Sequence, residues 1–329
     1  MACLRPVGYS TRHPVTALTG NGGTIERMSR SIAKFAALGG VAAAAGLAWS
    51  IAETKRYRMR MESLPLLPAG APSLRVLHLS DLHITPSQGD KTQWVAALAD
   101  WDPHLTVVTG DFLAHHAAVP VALAALRPLL AAPGVFVLGS NDYYAPKPFN
   151  PARYLRGPSE LETTREVLPW PDLVSGLTRA GWVDLDNRRA QLRIAGLAVD
   201  ARGVDDPHIG LDDYNRVAGP FERSADLRLG VAHAPYLRVL DAMSADGADL
   251  MLAGHTHGGQ LRLPGYGALV TNCDLPRKLA RGLHRYPPDS STWLQVSAGM
   301  GQSPYAPVRF ACPPEAVLLT LTGSDVSRG

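Results

Sequence analysis

Five short polar clusters in the chain carry side chains that bind metal ions. They are Asp81 and His83 in Ser-Asp-Leu-His, Asp111 after Thr109-Gly110, Asn141 and Asp142 in Gly-Ser-Asn-Asp, His233 before Ala234-Pro235, and His255 and His257 in Gly-His-Thr-His-Gly-Gly. Asp, His and Asn offer oxygen and nitrogen donors suited to Mn, Fe or Zn, with no soft thiolate among them. A carboxylate such as Asp111 can bridge two cations about 3.5–4 Å apart, and such a pair orients a phosphoryl group and deprotonates a bridging water. Taken singly the clusters are weak signals. A lone Asp-x-His arises by chance, Gly-Asp after a strand is usually a turn, and a Gly-rich loop can carry solvated histidines. All five in this order, each closing an apolar run, point to a metal centre.

Those apolar runs are the elements that must position the ligands. Leu74–Leu79, Leu105–Val108, Val135–Leu138, Leu227–Ala232 and Leu250–Ala253 read as buried strands, each running straight into a cluster. Between them, Trp94–Asp100, Val119–Leu130 and Tyr236–Met243 read as helices. Such alternation indicates an α/β fold, and ligands in open α/β sheets collect beyond the carboxyl ends of strands. The spacing of two in Asp81/His83 and in His255/His257 predicts extended backbone that aims each pair to one side.

In this order the clusters resemble the calcineurin-like metallophosphoesterase superfamily, whose pattern is DxH, GD, GNH[DE], H and GHxH. Gly254–Gln260 with Arg262-Leu-Pro-Gly, Val296-Ser-Ala-Gly-Met-Gly and Pro307-Val-Arg-Phe are most similar to small membrane-associated bacterial members. The resemblance covers residues 73–321. It implies a four-layer αββα sandwich of two mixed sheets flanked by helices. It also implies hydrolysis of a phosphomonoester, phosphodiester or pyrophosphate by a hydroxide bridging two metal ions (Mn, Fe or Zn). One ion would be held by Asp81, His83, Asp111 and His257, the other by Asp111, His233, His255 and a residue of the third cluster.

The third cluster departs from the family pattern. An ungapped match puts Ser140 at the Asn ligand position and Asn141 where the family has a histidine. A serine hydroxyl is a poor ligand and an amide carbonyl a good one, so a small backbone shift is expected to bring Asn141 to the second ion. In the family the missing histidine contacts phosphate and stabilises the transition state or protonates the leaving group, and a general acid is worth about 10²–10⁴ in rate. His115, His116 and His208 are the candidates to replace it, although a surface-loop histidine is the plainer reading of each. His115 is carried forward with Asp111, Asn141 and Asp142 as the catalytic set, Asp142 mainly to fix the loop by hydrogen bonding. The insert Tyr143–Arg189 holds Tyr143, Tyr144, Lys147, Arg153, Arg156, Trp170 and Trp182. Prolines at 146, 148, 151 and 158 predict an extended, pocket-lining loop there rather than a packed helix. The alternative function is a catalytically weakened binding or scaffold protein on the same fold, which six intact Asp and His ligands oppose.

The 329 residues, 46% apolar, suffice for a large core, and a formal net charge of +3 with no basic stripe argues against a nucleic-acid partner. Residues 1–34 read as a disordered, basic N-terminus and 35–52 as an uncharged, Ala- and Gly-rich transmembrane anchor or signal segment. Basic flanks (Arg27, Arg30, Lys34; Lys55, Arg56, Arg58, Arg60) suit a membrane segment, and Ser50-Ile51-Ala52 suits a cleavage site. Met28 is a second plausible start. Residues 53–72 read as a linker, 73–321 as the metallophosphoesterase domain and 322–329 as a disordered tail. The expected location is the cell membrane, single-pass or peripheral and on either side of it, or export after cleavage. The expected partners are that membrane and a phosphorylated small-molecule, lipid or cell-envelope substrate. Cys273 and Cys312 read as free buried thiols, or as a disulfide if the domain is extracytoplasmic.

Overall fold

Apolar side chains alternate along the strands so that each sheet buries both faces. The computed structural model describes residues 22–148 and 165–324. The first sheet has the order β1 (Arg58–Leu67), β14 (Glu315–Gly323), β2 (Leu74–Leu79), β3 (Leu105–Thr109), β4 (Gly134–Val137) and β5 (Val183–Asp184). The second has the order β12 (Gly282–Arg285), β13 (Trp293–Val296), β9 (Leu250–Ala253), β8 (Leu227–Ala232), β7 (Leu197–Gly203) and β6 (Arg188–Ile194). Both are mixed: β14 runs antiparallel to β2, and β12 and β6 run antiparallel to their neighbours at the two edges of the second sheet.

The sheets pack face to face. Leu74, Val76, Leu105, Val107, Val135 and Val137 from the first meet Val199, Ala201, Leu227, Leu229, Leu250 and Leu252 from the second. The alternate residues of the first sheet, among them Leu77, Leu79, Val108 and Phe136, face outward under α2 (Gly89–Ala97), α3 (Val119–Leu126) and α5 (Trp170–Arg179). Met251 and Val296 of the second face α6 (Leu237–Ala245) through Val239, Leu240 and Met243. The expected α/β fold with two mixed sheets and flanking helices is what the chain adopts. The parallel strands β2, β3, β4, β8 and β9 all end at the polar clusters, which is how one end of the sandwich gathers the ligands.

Four expectations need correction: the disordered N-terminus, the linker, the start of the disordered tail and the looped insert. The N-terminal segment is helical from Gly22, as α1 (Gly22–Glu53), where basic disorder was expected up to residue 34. No helix among the described residues is long and apolar enough to cross a membrane. The chain divides after Leu47, and the last turn of α1 belongs with the sandwich. The supposed linker contains β1, paired in parallel with β14 from Arg58↔Glu315 to Leu67↔Gly323. Its Leu64, Leu66 and Leu67 are buried, and Pro65 is tolerated because an edge strand needs hydrogen-bond donors on one side only. The same pairing carries β14 beyond residue 321, into the expected tail. The insert is not a loop throughout. α5 and β5 lie within it, and Trp182 is a core residue whose indole N–H donates to the Ala132 carbonyl at 3.1 Å. Cys273 and Cys312 are both buried, free thiols. Residues 1–21 and 325–329, with Arg153 and Arg156, lie outside the described residues.

A chain truncated to begin at residue 68 loses β1 and exposes β14. Leu64, Leu66 and Leu67 each contribute about 1.5–3 kcal/mol of burial. Such a chain should therefore be several kcal/mol less stable in urea unfolding than one beginning at residue 54. Equal midpoints would show β1 to be dispensable.

Candidate metal centre

Each strand that delivers a ligand must turn sharply at its end, and the backbone records that turn. Asp81 (φ 50°), His83 (φ 43°), Asp111 (φ 56°), His255 (φ 65°) and His257 (φ 49°) all occupy the left-handed region. Asp and His enter it more readily than most residues, at a cost of about 1–3 kcal/mol each that the surroundings must hold. The expectation of extended backbone at the two spaced pairs is thus incorrect, with a consequence for His255 and His257. They do not point to one side: the His257 ring lies 5.1 Å from that of His83, the His255 ring 5.2 Å from that of His233.

Asp81, His83, Asp111 and His257 converge, with one candidate ligand atom from each within 4.8 Å of all the others, and all four are buried. His83 Nε2 is 3.4 Å from Asp111 Oδ2, and His257 Nε2 is 3.7 Å from Asp81 Oδ1. On the other flank of Asp111, His233 Nε2 lies 3.5 Å from the same Oδ2. Backbone carbonyls orient three of the rings: Thr109 O is 2.7 Å from His233 Nδ1, Gly301 O 3.0 Å from His257 Nδ1, and Asn272 O 3.1 Å from His255 Nε2. Fixing one ring nitrogen in this way is how proteins aim the other at a metal ion. Both nitrogens of His83 and Nε2 of His233 are buried with no hydrogen-bond partner among the described residues. Orphaned imidazole nitrogens beside two carboxylates fit a divalent cation.

Electrostatics support this. Burial drives the His83 imidazole down to about 4 and holds His255 and His257 well below the usual range, so all three are neutral donors. Burial also opposes charge on His233, yet the carboxylates of Asp111, Asp206 and Asp81 outweigh it and push that imidazole up to about 9. Burial alone would raise Asp111, but His233, His83 and two hydrogen bonds from Asn141 hold its carboxyl well below the usual carboxylate range.

The third cluster starts the short helix α4 (Ser140–Tyr143). Asn141 donates from its backbone N–H to Asp111 Oδ1 (2.8 Å) and from Nδ2 to Oδ2 (2.7 Å), so it sits against the central carboxylate. Asp142 accepts from the N–H groups of Asp111 (2.8 Å), Gly139 (3.0 Å) and Leu113 (3.0 Å), tying the second and third clusters together. Gly110 permits the approach: it has φ 78°, and a Cβ there would lie 2.7 Å from His233 Nδ1. His115 is half-exposed. Its Nδ1 accepts from Ala117 N–H and its ring stacks on His116, and neither contact is with the cluster. His208 is the candidate histidine that reaches the site, with its ring 4.4 Å from that of His255 and Nδ1 3.1 Å from Tyr236 Oη.

Sequence reading missed several neighbours of the site. Asp206, fully buried, accepts from His208 N–H on Oδ1 and has no partner for Oδ2 among the described residues. Lys91 is buried, with Nζ on the carbonyls of Leu82 (2.7 Å) and His83 (3.2 Å). Arg165 has a buried Nε with no hydrogen-bond partner among the described residues, and the charge of Asp111 acts on it. Asp206 had a readable signal, an acidic pair beside the noted His208 after a strand. A lysine on a helix face has none.

Metal-dependent hydrolases are built in this way, with rigid strand ends supplying ligands and longer loops left to choose the substrate. The profile of the calcineurin-like phosphoesterases matches residues 74–259, a span that includes all the ligand candidates, and the chain belongs to that family. It is a metallophosphoesterase. Among its relatives, YpbG of Bacillus subtilis is 28% identical over 87% of this chain and 95% of its own length. The UDP-2,3-diacylglucosamine pyrophosphatase LpxG of Chlamydia trachomatis is 28% identical over 78% and 86%. A Bos taurus transmembrane protein with a metallophosphoesterase domain is 25% identical over 59% and 43%.

Two measurements test the site. Asn141→Ala should lower the metal content and weaken manganese binding about 10–100-fold, with Ser140→Ala changing little; the reverse ranking would support the ungapped alignment. Because His233 holds its proton up to about pH 9, ligation there must release it. Manganese affinity should therefore rise about tenfold per pH unit from about 7 to 9 and then level off. A flat profile in calorimetric titration would remove His233 from the ligand set.

Proposed function

We propose that the protein hydrolyses a phosphoester at a two-metal centre in which Asp111 bridges the ions. Asp81, His83 and His257 complete one site, and His233, His255 and Asn141 the other. The observation that carries this reading is the place of Asp111, whose Oδ2 lies within 3.5 Å of imidazoles from both groups. When bound, the cations would polarise the phosphoryl oxygens and supply a water nucleophile deprotonated near neutral pH.

The chain's own residues position and shield. Asp142 keeps the Asp111 and Gly139 turns in register, a positioning role rather than acid catalysis. Rotating the Asn141 amide by half a turn exchanges its N–H₂ for its carbonyl oxygen, turning a donor to Asp111 into a ligand on the same side. His208, against His255, and Arg165, near Asp111, are placed to hydrogen-bond phosphate oxygens where the family histidine is missing. His115 is too far into solvent to share that task.

For the substrate we favour a phosphate or diphosphate on a lipid or cell-envelope molecule, held by a protein at the membrane. The name of LpxG, a pyrophosphatase for a diacylated sugar nucleotide, supports that choice of class. A diphosphate also offers a good leaving group, which lessens the need for a histidine acid.

Metal analysis of the full chain should find close to two ions, with manganese-dependent turnover of aryl phosphate mono- or diesters. Asp111→Asn should lose metal and cut turnover at least about a hundredfold while the circular dichroism spectrum stays unchanged. Wild-type turnover in that variant would overturn the bridging role.

A further inference from the structure

Just beyond His257 the chain forms a small hairpin, β10 (Arg262–Leu263) with β11 (Gly267–Ala268), whose outer side chains are apolar and uncovered. Leu261 is 39% exposed, Leu263 49% and Tyr266 59%, with Pro264 exposed between them. Isolated exposed leucines are ordinary, but two leucines and a tyrosine on one short hairpin form a patch. Cations fringe it. The Arg277 guanidinium lies 4.6 Å from the Tyr266 ring centre and donates from Nη1 to Tyr266 Oη, and Lys278 beside it is exposed. The exposed acid nearby, Asp274, accepts the Leu237 N–H.

The same patch adjoins the end of the N-terminal helix. Leu261 bridges Phe310, and Arg262 N–H donates to the Phe310 carbonyl at 2.9 Å. The neighbouring Arg309 N–H donates to the Ser50 carbonyl at 2.9 Å, and the Ala311 N–H to Glu53 Oε2 at 2.9 Å. Trp49 and Ile51, flanking Ser50, are about half exposed (48% and 50%), with Arg56 over the Trp49 ring at 4.9 Å. Aromatic and aliphatic side chains with basic residues at their margin match the chemistry of a bilayer interface, where rings sit among headgroups and cations meet lipid phosphates.

We propose that the 261–268 hairpin, with Trp49 and Ile51, docks the domain on a bilayer containing anionic phospholipid. The occupant is a membrane rather than a protein because the apolar side chains are few and basic residues (Arg277, Lys278 and Arg56) lie at their margin. The last turn of α1, which carries Trp49 and Ile51, joins the sandwich through the Ser50 carbonyl and the Glu53 carboxylate. Docking there would hold the domain on the bilayer by the segment that follows His257 in the chain. It rests on the membrane location proposed above but not on the reaction.

The test is hydrogen exchange on the full chain, mixed with vesicles of phosphatidylcholine alone or with phosphatidylglycerol. Amides of residues 261–268 should exchange more slowly with vesicles, and most slowly with phosphatidylglycerol. A Leu263→Glu, Tyr266→Glu variant should bind the vesicles at least about tenfold more weakly, the loss of one buried apolar side chain or more. Its hydrolysis of a soluble aryl phosphate should match wild type. Hairpin exchange unchanged by vesicles would overturn the proposal, because an anchor elsewhere would leave the hairpin wet. So would protection that follows protein concentration without lipid, which would make the patch a self-association surface. Hairpin protection without any aryl phosphate turnover would leave docking intact and count against the hydrolytic reading alone.

Discussion

Two carboxylates, Asp81 and Asp111, lie fully buried close to one another, and such a pair persists as anions only with positive charge at hand. Their surroundings make the two unequal. Burial pushes Asp81 up to about 6, although His233 pulls it the other way, while Asp111 stays charged under the influence of His233, His83 and Asn141. Burial opposes charge on the His233 imidazole, but the carboxylates of Asp111, Asp206 and Asp81 push it up and make it their nearest positive partner. Much of the surrounding architecture keeps these few groups apart by fixed distances. Carbonyls hold the far side of three imidazoles, left-handed turns bring each ligand off its strand, and Gly110 leaves room for the His233 ring.

A second buried charge secures the first metal-ligand group from behind. Arg309, fully buried, donates to the carbonyls of Ala298, Gly299, Gly301 and Cys312 and to the Gln302 amide oxygen. Gly301 is also the residue whose carbonyl faces His257 Nδ1 and whose N–H donates to the Asp81 carbonyl. One guanidinium therefore sets the loop between two ligands. The adjoining backbone, at Ala311 and Cys312, donates to the Glu53 carboxylate at the end of α1. Hydrogen bonds thus connect the last turn of the N-terminal helix, through four residues of one loop, with the cradle of His257. The last turn of α1, at Ser50 and Glu53, is a structural part of the sandwich.

How much of this was legible in the sequence depended on whether the signal was local. Strands running into Asp81, Asp111, Asn141, His233 and His255 could be read because a buried parallel strand is a continuous apolar run with an abrupt polar end. The two mixed sheets followed from the family pattern those ends resemble. β1 was misread because its prolines and charges look like a linker. What makes it a strand is β14, more than two hundred and fifty residues away. The insert was misread for the same reason, since the prolines are real but Trp170 and Trp182 belong to packing against elements the window could not see. Asp142 was expected to fasten the loop because an acid next to a turn commonly accepts backbone N–H groups, and it accepts those of Asp111, Leu113 and Gly139. Separating His208 from His115 needed the fold, as each is a histidine in a polar loop until the sheets decide which loop covers the site.

The edge pairing of β1 bears on the order in which the molecule is made. Among the described residues β1 has a single neighbour, β14, and β14 is the last strand. During synthesis β1 therefore precedes its partner by more than two hundred and fifty residues and stays unpaired until β14 has been made. Chains fold during synthesis from the N-terminal side where local partners exist, and here none exists. The outer edge of the first sheet is therefore closed by a contact between segments far apart in the chain, late in the assembly of the sandwich.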